Sequence, residues 1–223
     1  MSVVGGSMSD MTAETPTSPP GSPSGSESDG GLKAVLWHYL RGSRQDLRWK
    51  LEGLSERQLR MPMTPTGTNL LGVLKHVSSV EVGYFTDCFA RPSGIAMPWF
   101  DDDAEPNADM YATAEESVDD ILDLADKCAA ASDAAIADLS LDDVATVPWW
   151  GQRRVTLGRL LVHMVAEYGR HLGQVDIVRE LLDGQAGLSP SAPNLPAEAQ
   201  GVDATWWQEH RQRLQRIAEA APE

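Results

Sequence analysis

The chain has 223 residues, a formal net charge of −15 and 42% hydrophobic residues. A surface this acidic repels a phosphate backbone and excludes general nucleic-acid binding, and no apolar run approaches the length of a membrane span. The hydrophobic fraction is ordinary for one globular core. The opening residues lack the charged-then-apolar layout of a secretory leader, so the expectation is a soluble, cytoplasmic protein.

Two cysteines, Cys88 and Cys128, match neither a metal-ligand spacing nor a disulfide framework. They read as half-buried thiols in a reducing compartment. Arginine outnumbers lysine 14 to 4, and alanine and aspartate are abundant, a bias that points to a GC-rich genome.

Residues 1–29 are rich in Ser, Gly, Pro and Thr. They hold too little apolar surface to offset their ordering entropy, so a disordered N-terminal tail is expected. Leu32, Val35, Leu36, Tyr39 and Leu40 then recur at helical spacing, and the pattern continues from Leu47 to Leu51 before Gly53. A short helical turn is expected over 54–59, and Pro62, Pro65 and Gly67 mark a loop. A second helix starts near Thr68 or Asn69, both good N-caps, and ends before Pro92. Residues 92–112 form a long acidic loop, a feature that is uncommon in compact domains and often functional. Thr113 and Glu116 have capping-box spacing, which predicts a third helix from there to about Leu139. Val147-Pro148-Trp149-Trp150-Gly151 is a rigid aromatic loop, and a short hairpin around 146–155 is compatible with it. The fourth long helix is expected from about Thr156 to Leu182, closing at Gly184. A Pro-rich linker over 185–200 leads to a last short helix near 203–219 that carries Trp206 and Trp207. The pattern is all-α: an antiparallel four-helix bundle over 30–184, with 185–223 as a linker and a C-terminal helix packing on it.

Chemistry concentrates on two of these helices. His163, Glu167 and His171 follow one another at spacings of four, on one helix face and separated by about 6 Å of rise per step. Imidazole and carboxylate are ligands for Zn²⁺, Ni²⁺ or Fe²⁺. The outer pair of a straight helix is about 12 Å apart, so only two of the three share one ion easily. Spacing leaves His163–Glu167 and Glu167–His171 both open. The remaining ligand must come from another helix, where His76 lies in the apolar run Gly72-Val73-Leu74-Lys75-His76-Val77. Three protein ligands plus water is the composition of a catalytic site with an open position. His38 and His210 read as hydrogen-bonded or simply exposed residues.

The run Thr68-Asn69-Leu70-Leu71-Gly72-Val73-Leu74-Lys75-His76-Val77-Ser78-Ser79-Val80-Glu81, the Val147–Gly151 loop and the run from His163 to Asp176 together resemble the DinB/YfiT-like superfamily, in its mycothiol-dependent branch. The resemblance covers about residues 32–184. It implies a four-helix bundle with a metal at one end of its core, held by three histidines or by two histidines and a glutamate. On the second pattern the ligands are His76, Glu167 and His171. His163 then lies beside Glu167 as a pocket wall, a hydrogen-bond partner of the ligands or a proton carrier. Relatives in this branch often have a further histidine where this chain has Gln174, so the tuning of the site is expected to differ.

The function implied is a metal-dependent thiol S-transferase that joins a low-molecular-weight thiol to a small electrophile. The metal is expected to be zinc, with nickel or iron as alternatives, and the genome bias favours mycothiol over bacillithiol as co-substrate. Zinc-bound thiols lose their proton at neutral pH. His163 or Glu81 is the candidate for carrying that proton, and Trp149, Trp150 and the 92–112 loop are candidate pocket walls. The rival readings are a non-catalytic metal-binding stress or interaction protein and a metal-dependent hydrolase or isomerase of a small metabolite. Partners are expected to be the thiol and the electrophile, with no nucleic acid and no membrane, and a homodimer is compatible with the sequence.

Overall fold

The computed structural model describes residues 31–189, 192, 195–196 and 201–222. The expected tail over 1–29 lies outside the described residues. The fold is mostly helical with a small two-stranded sheet. Its elements are α1 (Gly31–Leu51), α2 (Glu56–Arg60), α3 (Leu70–Phe85), α4 (Val118–Asp138), β1 (Val144–Val147), β2 (Arg153–Thr156), α5 (Leu157–Asp183) and α6 (Ala204–Glu219). Among the described residues no helix is long and apolar enough to cross a membrane.

Local chemistry sets most of the boundaries. The Asn69 side chain accepts from the Gly72 N–H and starts α3, Thr156 caps α5, and Gly184 closes α5 in the left-handed conformation (φ 80°). The predicted start of the third long helix is corrected. The helix begins at Val118 behind a capping box made by Ser117 and Asp120, and Thr113 and Glu116 form only a turn. The reason is the Glu116 carboxylate. It accepts the Thr113 N–H at 2.7 Å but is also drawn 2.8 Å from the buried Lys75 ammonium, so the segment bends toward α3. The hairpin compatible with the sequence is present, with Val144 opposite Thr156 and Val147 opposite Arg153.

Leu40 and Leu47 of α1, Leu70, Leu71 and Phe85 of α3, Ile136 of α4, and Leu160 and Met164 of α5 are fully buried in one core. The directions of the helices follow from their polar contacts. Lys33 near the start of α1 reaches the Ala137 carbonyl near the end of α4, and Arg48 near the end of α1 pairs with Asp126, so α1 and α4 run oppositely. His76 of α3 faces Glu167 of α5 and Tyr84 faces His163, so those two are also opposed. By contrast α3 and α4 run the same way: Lys75 meets Glu116 at one end, and Arg91 meets Asp138 at the other. This parallel pair departs from the purely antiparallel expectation. It also explains the long loop, because consecutive parallel helices need a connection that travels back the full length of the pair.

That return segment lies across α3 and is held there. Asn69 donates to the Met110 carbonyl at 3.2 Å, Lys75 to the Tyr111 carbonyl at 3.1 Å, and Arg60 to the Ala112 and Thr113 carbonyls at 3.0 and 2.9 Å. Gly72 makes the approach possible, since a Cβ there would stand 1.8 Å from the Met110 oxygen. At the other end of the chain α6 forms with Asp203 as its N-cap, and none of its residues is buried.

Gly72→Ala is therefore expected to lower the unfolding free energy by about 1–3 kcal/mol, the range for overpacking. Gly169→Ala, on α5 with no atom near the added Cβ, should raise it by about 0.5–1 kcal/mol through helix propensity. Urea unfolding of both variants checks the pair. A Gly72→Ala protein as stable as the parent would show that the loop does not rest on α3.

Candidate metal centre

Glu167 and His171 lie one turn apart on α5, and His76 faces them from α3. One donor atom from each of the three lies within 4.8 Å of the others. His171 Nε2 is 3.3 Å and His76 Nε2 is 3.8 Å from Glu167 Oε1, and the two imidazole rings meet edge to face with centroids 4.9 Å apart. The sites are only partly exposed, and His171 is buried.

Both imidazoles are held from behind. His76 Nδ1–H donates to Asp109 Oδ2 at 2.6 Å, and His171 Nδ1–H donates to Gln174 Oε1 at 2.9 Å. A neutral ring that keeps its proton on Nδ1 presents its lone pair on Nε2, the atom that faces Glu167 and lies 3.3 Å from its Oε1 in His171. Burial lowers the His171 pKa, and the neighbouring His76 lowers it further, against the pull of Glu167. The neutral ring is the form that ligates a metal. Two imidazoles, one carboxylate and an acceptor behind each ring are a donor set that suits a divalent cation.

Asp109 has no sequence signal of its own. It is one of many acidic residues in the 92–112 loop, and only the seating of Met110 on Gly72 brings it to His76. Gln174 is the partner of His171 on the far side of its ring.

The other expected site residues separate into two groups. His163 lies one turn from Glu167, packed edge-on against Trp150 (4.7 Å between centroids) and Tyr84 (5.0 Å). Burial holds its pKa below the ordinary histidine value, with Glu167 opposing and Arg159 reinforcing that shift. Trp149 packs on Tyr84 at 5.0 Å and donates its indole N–H to the Tyr84 hydroxyl at 2.9 Å. His163, Trp149 and Trp150 are thus brought together beside the three-donor cluster, with Tyr84 as the ring they share. A groove of about 660 Å³ opens there along α3, between Trp149 and the 92–112 loop. None of the three donors lines this groove, nor a second hollow of about 420 Å³ lined by Trp99, Glu116 and Lys127 among others.

Glu81 is placed differently. It is 1% exposed, and both its oxygens are engaged by Arg44, at 2.7 and 3.0 Å, and one also by the Tyr168 hydroxyl, at 2.8 Å. Arg44 continues to Asp133 at 2.8 Å, and Trp37 and Arg41 donate to the same carboxylate. Burial alone would lower the Arg44 pKa, but Glu81 and Asp133 outweigh it and hold the guanidinium more firmly charged than usual. This is a polar clasp joining α1, α3, α4 and α5. His38 is exposed, and His210 stacks on Trp206 within α6. The thiols of Cys88 and Cys128 are buried, and burial pushes their pKa values up to about 11 and about 12.

The model of the family described as Mycothiol-S-transferase matches residues 35–184. The chain belongs to that family. The matched span runs from the second turn of α1 to the end of α5 and contains all three donors, the aromatic cluster and the polar clasp. Mycothiol S-transferases stand in the DinB/YfiT-like, mycothiol-dependent branch that the motifs resemble. No curated protein and no solved structure matches the chain.

The clasp predicts a structural role for Glu81. Glu81→Gln leaves the buried Arg44 charge short of a partner, and the expected loss is about 3 kcal/mol of unfolding free energy. Denaturant unfolding measures it. A variant of unchanged stability with reduced turnover would instead return Glu81 to the chemistry.

Proposed function

We propose that this member of the family is a metal-dependent S-transferase that joins mycothiol to a small electrophile, with His76, Glu167 and His171 as the metal ligands. The observation that carries this reading is the convergence of His76 Nε2, His171 Nε2 and a Glu167 oxygen, each histidine backed by an acceptor on its far nitrogen. The fold is read as a four-helix bundle of α1, α3, α4 and α5 over 30–184, and 185–223 as a Pro-rich linker and a C-terminal helix that packs on the bundle. Zinc suits the donor set best, and a cation held there supplies a Lewis acid that lowers the pKa of an incoming thiol.

The residues then have separable tasks. Asp109 and Gln174 fix ring orientation and tautomer. His163, kept neutral by burial, accepts the thiol proton on its unprotonated ring nitrogen, about one helical turn of 6 Å from Glu167. As the S–H bond is given up, a bond forms between sulfur and the electrophilic carbon, and the leaving group departs with the electron pair of the bond that breaks. Cys88 and Cys128, buried and with raised pKa values, take no part.

Elemental analysis of protein purified without a polyhistidine tag is expected to find close to one divalent ion per chain. His76→Ala and His171→Ala should each lose most of it. His163→Ala should keep the metal while conjugation of mycothiol to a generic electrophile falls by about 10²–10⁴-fold. Loss of metal in His163→Ala equal to that in the other two would sink the ligand assignment, and failure of mycothiol alone among a panel of thiols to react would sink the transferase reading.

A second measurement isolates the outer partner. Asp109→Ala should weaken metal binding by about 10–100-fold, with Asp109→Asn, which retains an acceptor, in between. Competition against a chromogenic chelator gives the affinities. Equal affinity in all three proteins would remove Asp109 from the site.

A further inference from the structure

We propose that the groove along α3 is the seat of the electrophile, and that it selects uncharged apolar or aromatic electrophiles and disfavours anionic ones. The inference rests on the transferase reading above and names the substrate class for that site.

The groove begins at Val80, one helical turn beyond His76 on α3. His76, Val80, Gly83 and Asp87 follow at three- and four-residue steps and lie along one stripe of α3 and its continuation, and the last three line the groove with Ser79. Val80 stands about 6 Å and Gly83 about 10 Å along the helix axis from His76. The volume of about 660 Å³ is in the range that holds a small organic molecule.

The walls are apolar. Met97 and Phe100 of the crossover loop face Trp149 of the hairpin turn. Phe100 is 47% and Trp149 55% exposed, large apolar faces that gain by being covered. Trp149 spends its N–H on Tyr84, so what it offers a guest is the ring. Gly83 leaves the floor open beneath it, since a Cβ there would only reach ordinary contact with the indole, at 3.7 Å.

Charge supplies the discrimination. Asp87 is the charged residue of the lining, and no lysine or arginine is among the lining residues. Arg91, four residues beyond Asp87, is paired with Asp138 at 3.2 Å. Asp101, Asp102 and Asp103 follow directly after Phe100. An anionic guest in this apolar cleft would meet the Asp87 carboxylate and no lysine or arginine in the lining to offset it.

The test compares two probes with the same ring, 4-nitroanisole and 4-nitrobenzoate, by quenching of tryptophan fluorescence in the metal-loaded protein without thiol. The neutral probe is expected to bind at least about tenfold more tightly than the anion, and Asp87→Asn should narrow that ratio. Gly83→Leu, which fills the floor, should weaken 4-nitroanisole about tenfold or more with metal content and helical circular dichroism unchanged. Phe100→Ser, at an exposed position, should weaken it too. Trp149→Phe should remove most of the quenching while equilibrium dialysis still finds the probe bound. Equal binding of the two probes, no binding, or an affinity indifferent to Gly83→Leu would overturn the inference even if mycothiol conjugation is observed. Selective, groove-dependent binding with no thiol conjugation would uphold the groove as a site for neutral aromatic ligands and overturn the transferase reading instead.

Discussion

The contact on which the site depends is a backbone carbonyl resting on a glycine. The Met110 oxygen occupies the space that any side chain at position 72 would need. With that contact made, Asn69, Lys75 and His76, which share α3 with Gly72, each find a partner in the returning loop: the Met110 carbonyl, the Tyr111 carbonyl with Glu116, and the Asp109 carboxylate. The loop is long because α3 and α4 are parallel neighbours, so it must traverse the molecule. It is ordered because α3 offers it a row of polar hands. Its course determines the tautomer of one of the three donors and builds one wall of the groove.

A second set of polar residues holds the helices in register. Arg44, Glu81, Tyr168 and Asp133 come from four different helices and satisfy one another in the core. Buried ion pairs contribute little net stability compared with well-packed apolar residues, but they are costly to break and tolerate few alternative arrangements. Glu81 and Tyr168 each lie close in sequence to a donor, His76 and Glu167. A slide of α3 against α5 by one turn would separate both the clasp and the three-donor cluster. The clasp thus supports the geometry of the site without touching it.

The division of roles among similar residue types follows from surroundings. Glu81, in the second half of α3, and Glu167, near the middle of α5, are both interior helix carboxylates. One is saturated by a guanidinium and a phenol, and the other faces two imidazoles. His163 and His171 lie two turns apart on the same face of α5. His171 finds Gln174 behind it and His76 in front, and His163 finds aromatic rings. Burial depresses both histidines, but only one of them is surrounded by other donors.

Much of this was legible in the chain itself. Helical periodicity, Asn69 and Thr156 as caps, and Gly184 as a stop are local signals, and local backbone chemistry sets the positions of α3 and α5 with little help from packing. The four-residue spacing of His163, Glu167 and His171 placed them on one face for the same reason. What spacing could not decide was which of the histidines pairs with Glu167 opposite His76, because that depends on the offset between two helices separated by some ninety residues. Nor could it reveal the parallel run of α3 and α4, the start of α4 at Val118, the clasp that engages Glu81, or Asp109 behind His76. Each of these is an interaction between segments distant in sequence, chosen by which carboxylate a buried Lys75 or Arg44 meets once the core has closed. The sequence determined which faces carry donors, and only the packed helices and the loop seated on Gly72 decided which donors meet.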